Sequence, residues 1–226
     1  MKKYRSIPVV LAILGPSIIL RALAMDILLS CIPSLADYFG VPYSTTQWLL
    51  SIYFIGAGIG QLIVGPLADE YGRRKVLIYS TLLIIFTSYA CTQITDIYLM
   101  MFMRLLQGLG ACGTTVVSMA IMRDLYEDDE LSKVYSYFNS IVALAPLFAP
   151  LLGAILLMKT GSWRSTFHFI TAFSIVALLI DYFFVAETNP KFKSRTTFVN
   201  VPIFKSYVKL LKDREFLSYC CFDVMG

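Results

Sequence analysis

Four ionisable residues stand inside long apolar runs: Arg21 and Asp26 in the first, Arg104 in the fourth and Asp181 in the sixth. A charge in hydrocarbon costs at least about 2.5 kcal/mol on the insertion scale, so each demands a partner, a water-filled cavity or a function. An acid facing a base across a low-dielectric cavity can gain and lose a proton as its surroundings change, which is the chemistry of proton coupling. By helical rise Asp26 lies about 15 Å inside one end of its run, and Arg104 about 10 Å inside the end of its own on the same side. That similar depth on separate helices predicts an Asp26–Arg104 pair or a wet pocket between them, with a purely structural clasp as the other reading. Arg21 lies about 140° round the helix from Asp26, so the two are not expected to share a face. Asp181 is about 8 Å from the end of its run, within reach of interfacial water, and is read as structural.

Other chemistries fit the residues less well. The stretch "GLGACG", Gly108 to Gly113, spells G-x-G-x-x-G. A dinucleotide turn needs a strand before it and free N–H groups at a helix start. Here the glycines sit in mid-run, so they predict a face for close helix packing, as do Gly56, Gly58 and Gly60. Cys31, Cys91, Cys112, Cys220 and Cys221 have no C-x-x-C spacing, and the chain has a single His, so neither a disulfide framework nor a metal set is expected. No nucleophile constellation or cofactor loop is found, and an enzyme is not the expectation. Nor is a nucleic-acid partner, because the basic residues gather in short segments between apolar runs.

The elements that must position these groups follow from composition. Of 226 residues, 58% are hydrophobic and 15% charged, and mean hydropathy is +0.71, which marks lipid as the solvent. Six runs are long enough to cross a bilayer: about Ile7 to Leu35, Thr46 to Leu67, Val76 to Ile94, Ile97 to Met122, Val134 to Met158 and Ser165 to Ala186. Lys2, Lys3, Arg5, Arg73, Arg74, Lys75, Arg123, Lys133 and the cluster from Lys191 to Arg214 fall on one side, against Lys159 and Arg164 on the other. The positive-inside rule then predicts a multi-pass protein of the cell (inner) membrane, with the N-terminus and the tail after span 6 both cytoplasmic. Residues 1–186 form the bundle. Residues 187–213 read as a cytoplasmic linker whose Ile203, Tyr207, Leu210 and Leu211 repeat at helical spacing, suiting a helix on the membrane surface. Residues 214–226 read as the start of a seventh span, too short to cross.

The loop "GPLADEYGRRK" resembles the signature between helices 2 and 3 of the major facilitator superfamily, with Gly65, Asp69, Gly72, Arg73 and Arg74 in their places and Glu70 where a basic residue is usual. Gly65 is expected to allow close helix contact and Gly72 a tight turn. "RLLQGLGA" is similar to the helix 4 motif of the drug and proton antiporters, on Arg104, Gln107, Gly108 and Gly110. "MDILLSCIPSL" resembles the helix 1 motif, on Asp26 and Pro33. "LAPLFAPLLGA" matches the helix 5 antiporter motif at Pro150 and Gly153, with Ala149 and Ala154 in place of glycines. With "WRSTFHFI" and "DREFLSY", the chain most resembles the Bcr/CflA-type drug-resistance transporters.

That resemblance implies an all-α membrane protein, a six-helix bundle equivalent to the N-terminal half of a twelve-helix transporter with the substrate near the midplane between halves. It implies proton-coupled efflux of small amphiphilic compounds, with Asp26 and Arg104 in proton coupling and Tyr53, Gln61 and Gln107 on the cavity wall. Membrane lipid, a small-molecule substrate, protons, and a second six-helix half or another copy are the implied partners; no cofactor is. A transport-incompetent fragment or assembly partner, and an importer of a small solute, are the alternative readings.

Overall fold

The computed structural model describes residues 6–189. The N-terminal basic residues, the surface helix around Tyr207 and the start of a seventh span lie outside the described residues. Among those described, six helical stretches are long and apolar enough to cross a membrane. Span 1 is composite, made of α1 (Ile7–Asp26), a 3-10 segment (Ile27–Cys31) and α2 (Ile32–Phe39); α3 (Tyr43–Tyr71), α4 (Arg73–Gln93), α5 (Ile97–Leu125), α6 (Asp128–Thr160) and α7 (Arg164–Phe184) supply the rest. The sequence led us to expect span 1 as one continuous helix. Its break has a local cause: Pro33, in the first turn of α2, has no N–H for the carbonyl four residues back and its ring crowds that carbonyl, so the chain tightens into 3-10 winding before it.

Connections are short, and the bundle has two ends. The α3–α4 turn, the α5–α6 joint and residues 185–189 make the basic end; Gly40–Pro42, Ile94–Asp96 and Gly161–Trp163 make the far end. α5 is the most enclosed element, with 67% of its most apolar window buried against 11% for α6. α5 packs along α3 and α4, while α1 packs against α6, α7 and α5.

Small residues explain how α5 takes that central place. A Cβ on Gly56 would collide with the backbone of Leu105, one on Gly108 with the carbonyl of Tyr53, and one on Gly113 with the side chain of Ser80. The "GLGACG" glycines are therefore packing surfaces in a continuous helix, where backbone approach replaces side-chain volume. Gly65 departs from expectation: nothing lies within 4 Å of where its Cβ would be, so it permits no close helix contact here. The apolar residues left outside, such as Leu147, Phe148 and Leu151 of α6 and Phe183 of α7, form a surface suited to acyl chains or to another helical bundle. Cys31, Cys91 and Cys112 are free and buried, as small apolar thiols among helices should be.

Candidate functional site

Arg104, in the second turn of α5, is wholly buried. Its Nη1 donates to Ala24 O of α1 at 2.9 Å and to Gln107 Oε1 at 2.6 Å, and its Nε donates to Leu49 O of α3 at 3.3 Å. The guanidinium also lies 4.5 Å from the centroid of the Tyr53 ring, an attraction strengthened by desolvation. Gln107, one turn along α5, passes the network on, its Nε2 donating to Ser88 Oγ of α4 at 2.6 Å. Two neighbouring helices, α1 and α3, thus hold one guanidinium by carbonyls and a ring, with an amide of its own helix beside them. Its Nη2 is left without a partner.

The expected Asp26–Arg104 ion pair is not formed; Arg73, at the other end of the bundle, pairs with Asp69 and Asp124. Asp26 closes α1 where the 3-10 winding begins, is 7% exposed, and the charge that bears on it is that of Arg21. Arg21 acts on Asp26 through its charge, which reaches across the helix without a shared face or an ion pair. Tyr53 links the groups: its hydroxyl donates to Arg21 O at 2.8 Å, and it lies within electrostatic reach of Arg104, Arg21 and Asp26. Tyr53, Arg104 and Gln107 are therefore brought together, while Asp26 bears on Tyr53 through its charge and is neither hydrogen-bonded nor paired to Arg104. Gln61 stands apart; it is exposed two turns along α3 from Tyr53 and takes part in none of these bonds.

Behind Asp26 the helix 5 motif grips the 3-10 segment. A Cβ on Gly153 would run into the carbonyl of Ile27, and Ser30 Oγ donates to Pro150 O at 2.5 Å. Ala149, standing where a glycine was expected, is buried in the same core. The motif residues of α6 thus touch span 1 at its break, a juxtaposition that sequence spacing does not disclose.

A second cluster occupies the basic end. Arg73 is buried and pairs with Asp69 at 2.6 Å and with Asp124 of α5 at 3.3 Å. Gly72 has φ +95°, a conformation side chains resist, and a Cβ there would meet the Glu187 carboxylate. That carboxylate sits on the start of α4, accepting from Arg73 N at 2.9 Å and Arg74 N at 3.2 Å, as an anion should at a helix N-terminus. Arg74 Nη2 donates to Tyr182 O at 2.6 Å. Thr188 Oγ1 donates to Asp124 Oδ2 at 3.1 Å, and Asn189 Nδ2 to Asp69 O at 2.9 Å. Sequence reasoning missed Asp124, Glu187 and Asn189; the acid closing span 4 and the acid just past span 6 were the available signals. Asp181 needs correction too, for it is fully buried, away from interfacial water.

Comparison with known proteins agrees with this architecture. The Major Facilitator Superfamily model matches residues 14–225, and the chain belongs to that superfamily. It is 36% identical over 92% of its length to the uncharacterized MFS-type transporter YdgK of Bacillus subtilis, covering 50% of that protein. It is 34% identical over 81% of its length to a chloramphenicol resistance protein of Pseudomonas aeruginosa, covering 44% of it, and 28% identical over 97% to a bicyclomycin resistance protein homolog of Haemophilus influenzae, covering 54%. Relatives named for drug resistance are thus among those it matches. The chain spans about half the length of the curated relatives it matches. In fold it follows a partially occluded, inward-open xylose transporter XylE from E. coli with a TM-score of 0.74 at 16% identity, covering 84% of this chain and 52% of that one.

Proposed function

We propose that this chain is the first six-helix half of a proton-coupled exporter of small amphiphilic compounds, with Asp26 as proton carrier and Arg104 setting its affinity. The carrying observation is the coincidence, at one point of span 1, of a buried carboxyl, a change of helical winding, and the gripping Gly153 and Pro150 of α6. A proton arriving on Asp26 removes a charge beside Arg21 and Tyr53, and the weakest-wound part of the span lies directly next to it, where a local change of winding costs least. The free Nη2 of Arg104 offers a donor to Asp26 or to an acceptor on the substrate when the helices shift. Relatives named for chloramphenicol and bicyclomycin resistance support drug-like cargo.

Alternating access needs a second bundle rocking against the first, supplied by further sequence, another polypeptide or another copy. The basic end faces the cytoplasm in this reading, as the distribution of Lys and Arg favours. Importers share the fold, but at 16% identity the xylose transporter speaks for architecture alone.

The test is Asp26→Asn in proteoliposomes holding the complete two-half transporter. Drug-driven proton movement should stop while the protein stays folded in lipid; coupling at the normal rate would remove Asp26 from the carrier role.

A further inference from the structure

The mechanism above leaves one intramembrane acid unused. Asp181 is fully buried where α7 meets α1 and α4. Ser17 Oγ of α1 donates to its Oδ2 at 2.6 Å, while Oδ1 has no partner. Thr81 of α4 lies near the same carboxyl, with its own proton donated to Leu77 O at 3.0 Å. Toward Asp181 that hydroxyl therefore offers lone pairs, the acceptor that a carboxylic O–H requires. Should the proton leave, the same hydroxyl can rotate from Leu77 and donate to the carboxylate. The surroundings can thus satisfy both forms of the acid, which a merely structural hydrogen bond does not need.

No charged side chain among the described residues bears on Asp181. Arg21 stands one turn beyond Ser17 on α1, Arg73 and Arg74 lie two turns before Thr81 in the first turn of α4, and Arg164 is at the opposite end of α7. On α6, Glu130 and Lys133 occupy the basic-end turns. A buried carboxylate with no cation is expensive in hydrocarbon, and an exchangeable proton relieves that cost. A groove begins one turn away on the basic-end side, bounded by Ile13 and Leu14 of α1, Phe184 and Val185 of α7, and Thr188. Its lining is almost wholly apolar and does not include Asp181, so water reaches the acid only when α1 and α7 part there.

We propose that Asp181 is a second proton-binding carboxyl, separate from Asp26, exchanging with the basic end of the bundle when α1 and α7 part beside this groove. A hydronium ion gives one proton to Oδ1 and leaves as water; the reverse step returns it. Because span 1 carries both Asp26 and Ser17, loss of the proton at Asp181 reorders the contact that fastens α1 to α7.

The experiment is infrared difference spectroscopy over a pH titration of the full 226-residue chain in lipid nanodiscs. A protonated-carboxyl C=O band should grow and fade in the wild type, vanish in Asp181→Asn and persist in Asp26→Asn. Thr81→Val, which keeps the acid and removes its acceptor, should shift the band and so serves even if Asp181→Asn fails to fold. A band indifferent to both substitutions at this site overturns the proposal. So does one displaced by sodium at fixed pH, which would make the site a metal-cation site. The readout requires no transport, so failure of the export reading leaves it intact.

Discussion

Arg104 and Arg73 are both buried, yet they are held in opposite ways. Carbonyls of α1 and α3, the Gln107 amide and the Tyr53 ring surround Arg104, and no carboxylate pairs with it among the described residues. Two carboxylates flank Arg73, and a third accepts from its backbone N–H. The first arrangement leaves a positive charge uncancelled in the interior; the second cancels one where three helices emerge. A buried charge without its opposite seldom adds stability, whereas breaking a formed pair subtracts it. In the function proposed above, Arg104 is accordingly a residue of transport and Arg73 one of assembly.

The sharpest way to break that contrast is Arg104→Met. Coupled transport by the complete protein should fall to background, while thermal stability of this chain in lipid changes by less than about 1 kcal/mol or rises. A large loss of stability would place Arg104 with Arg73. Arg73→Ala should act in the other sense, costing about 2 kcal/mol because Asp124 is left nearly buried without its cation. A double-mutant cycle sharpens this: coupling of Arg73 to Asp124 should exceed its coupling to Asp69, whose side chain is 67% exposed and whose pair with Arg73 is worth under about 1 kcal/mol. Equal couplings would assign the work to the surface arm. Gly72→Ala should cost about 1–2 kcal/mol from the positive φ, with the Glu187 contact disturbed as well. It should lower the melting point and leave the Arg104 network as it is; an unchanged melting point would mean that the turn is not strained.

Much of the bundle was legible because the bilayer imposes length: six runs of about 20 apolar residues admit few interpretations. Depth was legible only in part: helical rise is fixed, and Arg104 does reach the backbone of span 1 at Ala24, two residues before Asp26, but the two side chains do not pair. Rotation was not legible. Whether Arg104 turns to a carboxylate or to the carbonyls of Ala24 and Leu49 depends on how neighbouring helices are phased, and backbone carbonyls leave no trace in residue identity. The same limit misplaced Asp181, whose distance from the end of α7 was read without knowing that its face turns to Ser17. Glu187 was hidden differently, for it stands in a stretch whose composition reads as linker, and only chain return brings it to Gly72. Gly65 carried the family pattern but none of the contact expected of it.

The five residues from Ile27 to Cys31 also act as a length reserve in span 1. In 3-10 winding each residue rises about 2.0 Å and turns about 120°, against about 1.5 Å and 100° in an α-helix. Rewinding the segment would draw α2 toward α1 by about 2.5 Å and twist it by about 100°. A screw of that pitch converts a local event beside one carboxyl into axial travel at the far end of the bundle, with no need for a rigid lever.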